Sequence, residues 1–133
     1  MEDSAAEARL AREALNETAF PMELHVVSDG VEAMDFLRKE GSYRNAPRPD
    51  LILLDLNLPR KDGREVLRDV KNDKDLRQIP VVILTTSQAP SDIKRAYELY
   101  ANCYIQKPLE LDGFIEIVKS IHRYWLQMAV LPA

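Results

Sequence analysis

What this chain has little of narrows its class first. A single cysteine, Cys103, forbids an internal disulfide and fits a reducing, cytosolic setting. No apolar run approaches the ~20 residues that cross a bilayer, and Met-Glu-Asp-Ser at the start is no signal peptide. No membrane role is expected. Basic residues are not in excess: 18 stand against 22 acidic ones, for a net charge of -4, which argues against a nucleic-acid surface. Internal repeats and low-complexity tracts are absent, and 4 glycines and 8 prolines are too few for a disordered chain. What remains is 133 residues, 46% apolar, enough for one domain with its own core over 1–129 and a short tail at 130–133.

Four short apolar runs alternate with helical patterns: Leu24 to Val27, Leu51 to Leu56, Val81 to Thr86 and Asn102 to Gln106. Within the second and third, Leu51 to Leu54 and Val81 to Leu84 are continuously apolar rather than alternating, as in strands buried on both faces of a parallel sheet. Ser4 with Glu7 forms a capping box that opens a helix over Ala5 to Asn16. Further helices are expected over Val31 to Lys39 and from Gly63 to Lys71. Another, capped by Ser91 or Asp92, runs to Tyr100, and a last one, capped by Asp112, runs to Met128. Strands alternating with helices imply α/β units whose working site lies outside the carboxyl ends of the strands.

Those strand ends carry chemistry. Asp55 follows four apolar residues, Thr85 and Thr86 end the next run, and Lys107-Pro108 ends the one after. Glu2 and Asp3 stand just before the first helix. In a parallel sheet these groups converge on one edge. Clustered carboxylates require a cation, and oxygen ligands suit Mg²⁺. An ammonium and a hydroxyl beside them suit phosphoryl transfer, which rests on positioning and charge neutralisation. Asp55 is then the nucleophile, forming an acyl phosphate.

Asp55-Leu-Asn-Leu-Pro-Arg-Lys-Asp-Gly63 resembles the phosphoacceptor loop of response regulator receiver domains. Val81-Val-Ile-Leu-Thr-Thr-Ser87 is similar to the family's switch strand, and Tyr104-Ile-Gln-Lys107-Pro108 to its terminal signature. Ser28-Asp-Gly30-Val-Glu-Ala33 resembles its second strand–helix junction. The 30 positions from Asp55 to Thr85 and the 52 to Lys107 match the family's spacing. The resemblance implies a flavodoxin-like fold, a five-stranded parallel sheet in the order 2-1-3-4-5. It implies a cytoplasmic phosphoprotein of a two-component phosphorelay, a signalling module and not a metabolic enzyme. Asp55 takes phosphate from a sensor histidine kinase or a phosphotransfer protein. Asp3 and Asp55 ligate Mg²⁺, Asn57 does so through its backbone carbonyl, and Glu2 acts through metal-bound water. Thr85 and Lys107 contact the phosphoryl group, Tyr104 changes rotamer with the switch, and the Lys107–Pro108 bond is cis. The stretches Glu40 to Pro49, Asp92 to Asn102 and Tyr124-Trp125-Leu126 look like single-domain regulators that partner phytochrome-type kinases.

The sequence departs from the family at its start, where the apolar strand that usually precedes the acid pair is missing before Glu2-Asp3. Its loss would leave a ladder of backbone groups unpaired in the sheet centre. The expectation is a natural chain reaching several apolar residues upstream, with a Val start codon read as Met1; mass spectrometry of the native protein tests it. If Met1 is the true start, weak Mg²⁺ affinity or a strand donated by a partner is expected instead.

His25 is expected in a strand, His122 on a helix surface and Cys103 in the core. Arg60, Lys61, Arg64, Arg68 and Lys71 read as a solvated face. Phe114, Val118, Ile121, Trp125 and Met128 trace one stripe of the last helix, with Ile115, Ile117 and Tyr124 off it. The excess apolar surface suggests a homodimer through the fourth helix, fifth strand and fifth helix. The alternative is a wide core-facing stripe under the C-terminal tail. Two other functions fit less well. A haloacid-dehalogenase-like Mg²⁺-dependent phosphatase wants a second acid where Asn57 stands. A flavodoxin-like cofactor binder wants a phosphate loop after the first strand, and none is present.

Overall fold

Helix α1 (Ala5–Asn16) opens the computed structural model, which describes residues 1, 4–16 and 23–132. It has the bounds expected, and the Ser4 hydroxyl accepts from the Glu7 N–H at 3.3 Å. Then come α2 (Gly30–Arg38), β1 (Ile52–Leu54), α3 (Gly63–Asn72), β2 (Val81–Thr85), α4 (Pro90–Glu98), β3 (Cys103–Gln106) and α5 (Leu111–Ile121). A short 3₁₀ turn at Gly41–Tyr43 precedes β1, and α5 runs on into a π-helical stretch, His122–Met128. Asp29 and Asp62 cap α2 and α3 by accepting from the N–H groups of Glu32 and Arg64.

The three described strands are parallel, in the order β1-β2-β3. That is the order expected for the last three of the five. Alternation divides their side chains between two cores. Ile52, Leu54, Val81 and Ile83 face α2, α3 and α4, meeting Met34, Leu67, Val70 and Ala96. Leu53, Val82, Leu84 and Ile105 face α1 and α5, meeting Leu15, Phe114 and Val118. With helices on both faces, β2 is buried at every residue, which is why its sequence shows no polar alternation.

A strand is expected at Leu24–Val27, but the segment forms no ladder. It lines a cavity of about 700 Å³ together with Met1, β1 and the flanking Leu51 and Asp55. Among the described residues, Met1 alone pairs with β1 on that side. Its amino group donates to the Leu53 carbonyl at 2.8 Å, and its carbonyl accepts from the Asp55 N–H at 3.2 Å. This is one rung of a parallel ladder opposite Leu54.

Two helix starts differ from expectation. Helix α4 begins at Pro90 rather than behind a Ser91 or Asp92 cap, because proline's fixed φ and missing N–H suit a first helical position. Asp92 instead accepts from the Ser87 hydroxyl at 2.6 Å and pairs with Arg64 at 2.8 Å; both hold its carboxyl below the usual range. Helix α5 starts at Leu111 behind Glu110, and Asp112 lies in its first turn. The basic stretch is tied down rather than simply solvated. Arg60 pairs with Asp29, Lys61 with Asp69, and Lys71 donates to the Ile79 carbonyl.

His122 is buried, 1% exposed, and not on a helix surface. The stripe of α5 turns Phe114, Val118 and Ile121 inward, and His122 follows them toward the cavity. Burial pushes its pKa below 6.5. The folded state therefore favours neutral His122. Its contribution is complete above pH 6.5 and is lost as the pH falls, because the unfolded chain then binds the proton more readily. Thermal unfolding should show a parent midpoint that drops more between pH 6.5 and 5.5 than that of His122→Gln. The difference is at most about 1.4 kcal/mol per pH unit, and equal slopes would refute the assignment.

Candidate functional site

The site forms where β1, β2 and β3 end. Each strand delivers one group there because each apolar run stops at the same sheet edge. Asp55 follows β1, Thr85 ends β2 and Lys107 follows β3. All three are buried, at 7%, 0% and 4% exposure. Thr86 is exposed, so Thr85 is the inward hydroxyl of the pair.

Three donors among the described residues reach the Asp55 carboxylate. Its Oδ1 accepts from the Asn57 N–H at 3.0 Å and the Thr85 hydroxyl at 3.1 Å. Its Oδ2 accepts from the Lys107 ammonium at 2.7 Å. These are charge-assisted bonds in a largely dry setting, stronger than their solvent-exposed counterparts. The Lys107 N–H also donates to the Thr85 carbonyl at 2.7 Å, which locks the end of β3 to β2. Gly63 keeps the loop after Asp55 close to α3. A Cβ there would stand 2.3 Å from the Asp55 carbonyl oxygen, so no other residue fits without moving Asp55.

Sequence reasoning paired Asp55 with Thr85 and Lys107, and the fold brings the three together. Asn57 contributes its N–H to Asp55, and its side chain is exposed. Tyr104 donates its hydroxyl to the Ser87 carbonyl at 3.0 Å, which links β3 to the loop leaving Thr85. Glu2 and Asp3 lie outside the described residues. The chain on either side of them touches the site, through the Met1 carbonyl and through Glu7. The Lys107–Pro108 bond is trans, not cis as expected, which is the intrinsically favoured form even before proline.

Glu7 was read only as half of a capping box. Beyond the cap bond with Ser4, its Oε2 accepts from the Lys107 ammonium at 2.6 Å. Local pattern could not reveal this, because the partners are 100 positions apart. The only hint was an acid one helical turn after the Glu2-Asp3 pair.

Comparison with known proteins agrees with this geometry. The sequence pattern of the response regulator receiver domain matches residues 1–119. Response regulator Rcp1 of a Synechocystis species is 49% identical over 133 residues, covering 100% of this chain and 90% of that protein. The crystal structure of its Mn²⁺-bound form superposes with a TM-score of 0.97, covering 100% of this chain and 96% of that one. The phosphorylated cyanobacterial phytochrome response regulator RcpA also superposes at 0.97, with 53% identity, covering 100% of this chain and 95% of that one.

Proposed function

The chain belongs to the response regulator receiver family, and from that premise we propose that Asp55 is its phosphoryl acceptor, loaded by a sensor histidine kinase or a phosphotransfer protein. The observation that carries this is the Lys107 ammonium 2.7 Å from Asp55 Oδ2, with the Thr85 hydroxyl on the other oxygen. An Asp55 oxygen attacks phosphorus, and the bond from phosphorus to the donor breaks with its electron pair leaving on the donor. Lys107 follows the charge onto a phosphoryl oxygen as a point cation. Thr85 turns its hydroxyl from Asp55 to a second phosphoryl oxygen.

The Asp55 carboxylate and the Asn57 backbone carbonyl are hard oxygen donors of the kind Mg²⁺ takes, and the Mn²⁺-bound form of Rcp1 supports a divalent ion. Asp3 would add a direct ligand and Glu2 one through water. Bound there, the ion offsets the repulsion between these carboxylates and the incoming phosphoryl group.

The readout runs through Thr85. Its movement draws the loop to Ser87, so Tyr104 loses the carbonyl it now holds and changes rotamer. The nearby surface exposes Tyr97 on α4, Tyr100 just beyond it, Leu109 before α5 and Leu111 at its start. This apolar face supports a homodimer through α4, β3 and α5 as the output contact. Signalling by contact, rather than turnover of a metabolite, is the activity we assign. No described helix is long and apolar enough to cross a membrane.

Likeness to RcpA favours a phytochrome-type kinase as donor. Phosphotransfer from a panel of phosphorylated histidine kinases should load this chain at least about tenfold faster from the phytochrome type, a difference of ~1.4 kcal/mol. Equal rates across the panel would remove that assignment. Sedimentation that stays monomeric before and after loading would remove the dimer.

A further inference from the structure

One side chain at the site has no role in the transfer as described. Glu7, in the first turn of α1, places Oε2 2.6 Å from the Lys107 ammonium, while Asp55 Oδ2 lies 2.7 Å from the same nitrogen. Its backbone N–H is held by the Ser4 hydroxyl, so the helix start fixes where its side chain begins. Lys107 is 4% exposed and anchored through its own N–H to Thr85, so the ammonium has little room to wander. Glu7 is about one third exposed, at 34%, so its carboxylate can swing out toward water.

We propose that Glu7 is a positioning residue that competes with the phosphoryl group for Lys107. The inference rests on Asp55 being the acceptor. Before transfer, Glu7 holds the ammonium beside Asp55. On transfer, a phosphoryl group with up to two negative charges arrives on Asp55 and needs that ammonium. Glu7 must then release it, and its own charge opposes the incoming anion. The residue thus keeps the unloaded state favoured and raises the barrier to loading. A neutral isostere removes the charge and keeps the shape. Loss of the charge shifts Lys107 toward the phosphoryl group in both the transition state and the product.

The test uses the full chain with acetyl phosphate and Mg²⁺, followed by intact mass. Acetyl phosphate supplies the phosphoryl group, and acetate leaves with the electron pair of the broken P–O bond. Glu7→Gln is expected to load roughly tenfold faster than the parent at low salt, the size of one unit charge acting over a few ångströms at a partly wet site. Salt should shrink that advantage, because an exposed carboxylate is screened. A helix-capping role alone would not give a salt-dependent gain. Thermal unfolding of Glu7→Gln and Glu7→Ala reads the capping contribution separately. Loading of Glu7→Gln at or below the parental rate overturns the proposal, whatever the two midpoints. A gain that ignores salt also overturns it. A parent chain that takes up no phosphate overturns the acceptor assignment instead, and this inference with it.

Discussion

Asp55→Asn is expected to take up no phosphoryl group from acetyl phosphate under conditions that load the parent chain fully. An amide is too weak a nucleophile to open the P–O bond, so the loss should exceed about a thousandfold. The shape of the site survives, because the Asn oxygen can still accept from Thr85 and from the Asn57 N–H. The amide nitrogen, however, then faces the Lys107 ammonium, donor against donor. Lys107 keeps Glu7, so the fold should lose only about 1–3 kcal/mol, the usual worth of one hydrogen bond to a charged group. Intact mass reads the first effect and thermal unfolding the second. Phosphate retained by the variant would move the acceptor to another residue, with Ser87 or Thr86 next in reach along the same loop.

The second large effect concerns the cavity beside β1. Ile52 donates its N–H to the Pro80 carbonyl on the β2 side, so by alternation Leu51, Leu53 and Asp55 direct their backbone groups the other way. Met1 satisfies the Leu53 carbonyl and the Asp55 N–H, while the Leu53 N–H and Leu51 carbonyl face the cavity with no strand partner among the described residues. A segment of four or five apolar residues fused ahead of Met1 would continue the ladder. The residue two before Met1 would accept from the Leu53 N–H and donate to the Leu51 carbonyl. Burying four such side chains contributes roughly 6–12 kcal/mol, and ordering them costs about 1.5 kcal/mol per residue. The net gain should be a few kcal/mol, or a rise of about 10 °C in Tm for a domain of this size. A fusion of equal length with alternating charges should give no rise, because it would carry charge into an apolar cavity. Equal midpoints for the two fusions would show that this edge does not accept a strand.

The three central site residues were legible in the sequence for a physical reason. A strand buried on both faces is a continuous apolar run, so its end is marked by the first polar residue. Asp55, Thr85 and Lys107 stand at such ends. The contact of Glu7 with Lys107 was hidden because its helical position explains Glu7 locally, and that contact depends on how α1 packs against the sheet. His122 was placed on the surface because its polarity outweighed its position one residue after Ile121 in the inward stripe. The start of α4 was misjudged because serine and aspartate resemble caps, whereas the ion pair with Arg64 claims Asp92.

By itself, then, the amino-acid order determined the α/β class, the parallel strands, the bounds of α1 and the strand-end trio of Asp55, Thr85 and Lys107, because periodicity and chain breakers act over a few residues. Only the tertiary structure decided that Glu7 shares Lys107 with Asp55 and that Leu24–Val27 stays outside the ladder. Those outcomes depend on groups far apart in the chain coming within hydrogen-bonding distance, and no local pattern encodes that distance.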